Sequence, residues 1–129
     1  MKNTASCPCG SMLDYAPCCG RYHTGTSVPP DAATLMRSRY SAYVKQMEAY
    51  LRSSWHPDTC PDALGLDNVP RPQWIGLELK SHCPMDDNHA TVEFVARYKL
   101  NGRAHRLHEV SRFERIAGRW LYVDGEIKV

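Results

Sequence analysis

Four of the six cysteines in this chain fall inside thirteen residues, at Cys7, Cys9, Cys18 and Cys19 of the stretch SCPCGSMLDYAPCCG. The spacing is Cys-x-Cys, eight residues, then Cys-Cys. Four thiolates this close in sequence suit a tetrahedral metal, with Zn–S bonds of about 2.3 Å. The first pair clasps the ion from one side, and the loop brings the second pair back to close it. Gly10 and Gly20 follow the two pairs and relieve the backbone where it must turn near an ion. Four sulfur ligands leave no open position, so the expected site is one structural Zn²⁺. Metal binding of this kind supplies about 10–16 kcal/mol in small modules, which replaces a missing core. The rival readings are a redox cluster or disulfides, and adjacent cysteines seldom bridge each other. His23 stands near as a substitute ligand, although its ordinary reading is a solvated loop histidine.

The rest of the chain must position that cluster and any second site. At 129 residues it has the length of one ordinary domain. Hydrophobic residues make up 43% and charged residues 23%, a globular balance. A net charge of +2 does not by itself call for nucleic acid. The chain has no apolar run of spanning length, and MKNTAS leads into cysteines rather than an apolar stretch. The expectation is a cytoplasmic protein without a membrane segment.

Residues 1–25 are rich in Cys, Gly and small polar residues and lack apolar periodicity, and TSVPP at 26–30 reads as a linker. A globular domain is expected over 31–129. Asp31 is a good N-cap for a helix whose apolar face carries Leu35, Met36, Tyr40, Tyr43, Val44 and Met47. A second helical stretch, MEAYLRSSW, ends at His56-Pro57. Residues 57–73 hold four prolines and read as loop. The period then changes to two. WIGLELKSHC at 74–83 turns Ile75, Leu77 and Leu79 inward, and HATVEFVARYKL at 89–100 turns in Val92, Phe94, Ala96, Tyr98 and Leu100. Asn101-Gly102 and Ala117-Gly118 mark turns before strands at 104–116 and 119–129. Helices followed by a four-stranded antiparallel meander define an α+β plan, with helices on one face of a curved sheet.

CPCGSMLDYAPCCG resembles the SEC-C motif, the zinc-binding element also found at the C-terminus of the SecA translocation motor. MRSRYSAY at 36–43, Trp55 and His56, EFVARY, HEVSRF and GRWLYVDG extend the likeness to the YchJ-like bacterial family. That resemblance implies a SEC-C module over residues 1–25 joined to a nuclear transport factor 2-like, cystatin-like cone over 31–129. It also implies zinc at the four cysteines and a module that docks on a protein partner. Met12 and Leu13 stand where SEC-C motifs often carry Gly and Lys, which weakens any basic surface there. Some longer relatives carry a second, C-terminal SEC-C motif, which this sequence does not show. The family has no established biochemical role.

Cones of this class often enclose a pocket, and some relatives by fold are isomerases, dehydratases or hydrolases. The pocket candidates are Arg37, Tyr40, Trp55, His56, Glu109 and Arg112. His108 and Glu109 are neighbours on one strand, so they face opposite ways and form no dyad. The favoured reading of Glu109 is a buried ion pair with Arg37, Arg39 or Arg97 that fixes helix to sheet. The three tryptophans, Tyr40 and Tyr43 read as core before ligand platform, and Cys60 and Cys83 as unremarkable free thiols. Seven Lys or Arg against three Glu between Ala90 and Trp120 allow nucleic-acid binding, but a solvated sheet face is the better account. The preferred function is a zinc-stabilised, non-enzymatic interaction protein, with homodimer formation open. The alternative is a ligand-binding or enzymatic cone pocket, decided by whether Glu109 faces a cavity or sits in an ion pair.

Overall fold

The computed structural model describes residues 6–128, so residues 1–5 of the expected module and Val129 of the expected last strand lie outside the described residues. A π-helical turn at Ala16–Gly20 runs into one α-helical turn, α1 (Arg21–His23). Two helices follow, α2 (Ala32–Val44) and α3 (Glu48–Ser53). Four strands complete the chain: β1 (Gln73–Asp86), β2 (His89–Leu100), β3 (Arg103–Ile116) and β4 (Arg119–Ile127). They form one antiparallel meander in the order β1-β2-β3-β4.

Local chemistry starts and stops these elements where the sequence places them. The Asp31 carboxylate accepts from the Thr34 N–H at 2.8 Å and caps α2. The helix breaks after Val44, where Gln46 takes a left-handed φ of 56°. Asn101 and Gly102 carry φ of 52° and 79°, the left-handed pair that a tight type I′ hairpin needs. Strand β1 runs on through Pro84 to Asp86, further than the expected end at Cys83. As an edge strand it tolerates a residue without an N–H.

The core lies between α2 and the inner face of the sheet. Leu35, Met36 and Tyr40 meet Val92, Phe94, Ala96, Phe113 and Trp120. One expected inward residue is reversed. The β1–β2 register slips between Trp74 and Gly76, so Trp74 rather than Ile75 packs on the core beside Leu77 and Leu79. Ile75 is left 49% exposed. A bulge adds one residue to the count and flips the alternation before it, which a simple period-two reading cannot register.

Helix α2 has a second buried face. Ser38 and Ser41 have no exposed surface, and Arg39 is 3% exposed. The cysteine-rich segment covers part of this side, so it folds against the helix rather than trailing from it. No helix among the described residues is long and apolar enough to cross a membrane.

Candidate functional site: a four-cysteine centre and a cone cavity

The four cysteines converge from two short pieces of backbone. Ser6 and Asp14 form an antiparallel bridge, and the Cys7 N–H donates to the Leu13 carbonyl at 2.8 Å. Gly10, at φ 83°, turns the chain between them. The second pair sits in the π-helical turn, which kinks at Cys18. That turn needs Gly20, because a Cβ there would lie 2.9 Å from the Tyr15 carbonyl. The Gly20 N–H instead donates to that oxygen at 2.8 Å.

The four sulfurs all lie within 4.8 Å of one another, and Cys7, Cys9 and Cys19 are buried. Sulfurs set 2.3 Å from the centre of a tetrahedron are about 3.8 Å apart. Cys9 and Cys18 stand 3.7 Å apart, which suits such an arrangement. The thiols of Cys9, Cys18 and Cys19 differ in how readily they ionise. Hydrogen bonds from the Cys19 thiol and from Ser11 pull the Cys9 thiol down to about 4, against the cost of burial. Cys19 resists ionising because its proton is held by Cys9 and because it is buried, and burial likewise raises Cys18. Cys9 is thus the most inclined of the three to ionise, and a divalent ion would let the others follow. The donor set therefore fits a metal. The Ser11 hydroxyl lies 3.1 Å from Cys18 Sγ and accepts from the Leu13 N–H, so it braces the loop between the pairs.

Three contacts fasten this centre to α2. Arg37 Nη1 donates to the Cys9 carbonyl at 2.9 Å. Ser41 Oγ lies 3.4 Å from Cys7 Sγ. His23 makes the third, and its position corrects the expectation of a solvated side chain. Its Nε2–H donates to the Ser38 carbonyl at 2.8 Å, so the neutral ring accepts from the Tyr15 hydroxyl at Nδ1, 2.5 Å away. Burial lowers its pKa and keeps it neutral. It is not among the four clustered ligand atoms.

A second feature lies under α2, where a cavity of about 260 Å³ opens between helix and sheet. Met36, Arg39, Tyr40 and Tyr43, at helical spacing on α2, form one wall. Trp74, Phe94 and Leu107 supply apolar surface from three strands, and Glu109, Ser111 and Tyr122 supply polar groups from β3 and β4. Of the six residues expected in a pocket, Tyr40 and Glu109 line this cavity. The other four lie elsewhere: Arg37 on the cysteine centre, Trp55 against Tyr122, His56 3.5 Å from Glu114, and Arg112 in an exposed pair with Asp124 at 2.5 Å.

The expected Glu109–arginine ion pair does not form among the described residues. Glu109 Oε2 accepts from Ser111 Oγ at 2.7 Å and from the Tyr122 hydroxyl at 3.2 Å. Burial and the nearby Glu109 carboxylate push the Tyr122 hydroxyl well above its ordinary pKa, so it stays a donor. Arg37 is engaged by Cys9, and Arg97 reaches Glu78 at 3.6 Å on the outer face. Arg39 turns to α3, where Nη1 donates to the Leu51 carbonyl at 2.9 Å and to Ser54 Oγ at 2.7 Å. Its guanidinium carbon lies 4.7 Å and 4.6 Å from the ring centres of Trp55 and Tyr122. Sequence reasoning favoured Arg39 as an ion-pair partner and missed Ser111 and Tyr122. The signal for those two was their place beside Glu109: Ser111 is two residues along the same face, and Tyr122 is on the neighbouring strand.

The outer sheet face sets its charges against one another. Glu78 pairs with Lys80 and Arg97, and Glu93 with His108. This mixture suits a solvated face.

Comparison with known proteins agrees with both halves of this picture. Residues 31–125 match the family model described as YchJ, middle NTF2-like domain. A UPF0225 protein of Ralstonia nicotianae is 56% identical, covering 96% of this chain and 92% of that protein. One from Bordetella parapertussis is 52% identical over 98% of this chain and 96% of its own. Among solved structures, the solution structure of a SEC-C motif containing protein from Rhodopseudomonas palustris matches with a TM-score of 0.86 at 29% identity, covering 97% of this chain and all of that one. The crystal structure of a SEC-C motif containing protein from Psychrobacter arcticus matches with a TM-score of 0.80 at 28% identity, covering 96% of this chain and 83% of that one. This chain therefore belongs to the YchJ-like UPF0225 family, with a SEC-C cysteine cluster folded against an NTF2-like cone.

Proposed function

We propose that this protein is a zinc-stabilised, non-enzymatic interaction module carried on an NTF2-like scaffold. Cys7, Cys9, Cys18 and Cys19 would hold one structural Zn²⁺. The observation that carries the reading is the closed cluster of four sulfurs within 4.8 Å, beside a loop tip that faces solvent. On that tip Met12 is 89% exposed and Leu13 56% exposed, with Met12 held at a φ of 71°. Large apolar side chains held outward on a rigid turn suit recognition of a protein partner. The ion's part is to hold the turn in shape, because four sulfur ligands leave no position for substrate. Thiolate–zinc chemistry fits a reducing, cytoplasmic setting.

The test has two stages. Elemental analysis of protein purified under reducing conditions should find one zinc per chain, with four thiols becoming reactive only after chelation. Absence of metal together with oxidised cysteines would overturn the zinc assignment. Affinity capture should then retain a protein on the wild type that is lost with Met12→Asp/Leu13→Asp and lost again on chelation. An identical bound set for the double variant would overturn the docking role.

A further inference from the structure

The cone cavity has features that the interaction role does not use. Its volume is about 260 Å³. An apolar cavity of about 150 Å³ is enough to admit benzene. This one therefore has room for one or two fused rings. Its walls suit such a guest: Tyr40 and Trp74 meet edge to face at 5.9 Å between ring centres, and Phe94 and Tyr122 face the same space.

The carboxylate in these walls is not fully used. Glu109 spends Oε2 on Ser111 and Tyr122, and Oε1 carries no hydrogen bond among the described residues. The carboxylate has a built seat. A Cβ on Gly125 would fall 1.8 Å from Oε2, so the glycine on β4 clears the space this side chain occupies. The charge of a guest also follows from the lining. Arg39 is in the same wall and no carboxylate lies within ion-pairing distance of it among the described residues. Arg39 and Glu109 together bring no net charge, so a guest carrying its own charge would leave an uncompensated ion in a largely apolar space. Arg39 is held by α3 and by two rings, and is not free to reach for an anion. A donor aimed at Glu109 Oε1 would fill that acceptor.

We propose that the cavity beneath α2 binds a neutral aromatic molecule of one or two rings that donates an N–H or O–H to the free oxygen of Glu109. Indole and benzothiophene test this as a pair, because they share a bicyclic shape and only indole carries a donor. Isothermal titration of the metal-loaded full chain should show indole binding about tenfold or more tightly than benzothiophene, the worth of a hydrogen bond to a charged group. Glu109→Leu should abolish that preference, and Ala96→Phe, which fills the cavity, should weaken both probes. If Glu109→Leu does not fold, amide shift mapping on the wild type serves instead, with indole moving Glu109, Ser111 and Tyr122. No indole binding at millimolar concentration, equal affinity for the two probes, or shifts confined to other surfaces would each overturn the proposal.

Discussion

Gly125→Ala tests the placement of Glu109 directly. The new methyl carbon would stand 1.8 Å from Glu109 Oε2, 2.5 Å from its Cδ and 2.9 Å from its Cγ. These atoms are the far end of a flexible side chain, so the backbone need not move and Glu109 swings away. The cost lies in what it leaves behind. Ser111, with no exposed surface, loses the acceptor at 2.7 Å, and Tyr122 loses the one at 3.2 Å. Stranding a buried donor costs about 1–3 kcal/mol. Placing alanine for glycine in extended backbone returns a few tenths. The expected net loss is about 2 kcal/mol, or roughly 6–8 °C in Tm for a domain of this size. Urea and thermal denaturation of metal-loaded protein measure it. The companion is Glu109→Ala, in whose background Gly125→Ala should be neutral or slightly stabilising, because the obstructing carboxylate is gone. If Gly125→Ala costs the same in both backgrounds, Glu109 does not occupy the position described, and the cavity argument fails with it.

Cys9→Ser should abolish tight metal retention and loosen residues 6–23, while the domain from Asp31 stays folded at a lower Tm, because Ser38 and Ser41 on α2 lose their cover. An unchanged Tm, or global loss of the circular dichroism signal, would contradict that division. Arg37→Ala removes the bond to the Cys9 carbonyl and should cost about 1.5 kcal/mol in urea denaturation, with faster proteolysis before Asp31; no change in either would show that the contact is idle. His23 has a folded pKa below its unfolded value near 6.5, so between the two the unfolded chain binds more protons. Its stabilising contribution is therefore complete above about pH 6.5 and is lost as the pH falls below that value. The stability gap between wild type and His23→Gln should shrink from pH 7.5 to 5, and a constant gap would refute the neutral bracket.

The cysteine centre was legible because its information is local. Cys-x-Cys and Cys-Cys separated by one short loop bring four sulfurs together with little help from the rest of the chain. The N-cap at Asp31, the hairpin at Asn101-Gly102 and the alternation of β2 are local for the same reason: a side chain and its nearest backbone decide them. Ile75 and Trp74 exchanged places because a bulge is a property of two paired strands, and β1 alone carries no mark of it. His23 was misread because its partners, Tyr15 on one side and Ser38 on the other, meet only once the cysteine segment lies on α2.

Glu109 shows the same divide at the cavity. Sequence sets Glu109 opposite His108 on its strand and offers Arg37, Arg39 and Arg97 as partners, so a buried ion pair is the economical expectation. Packing then sent Arg37 to Cys9, Arg39 to α3 and Arg97 to the outer face. What sequence determined by itself was the four-cysteine cluster, the order of helices and strands, and which face most strand residues take, since spacing and period act over a few bonds. Only tertiary structure decided that α2 is buried on a second, polar face, that Gly125 makes room for a carboxylate, and that this carboxylate lines a cavity rather than pairing with an arginine. Those depend on distances between segments far apart in the chain, and no local pattern encodes them.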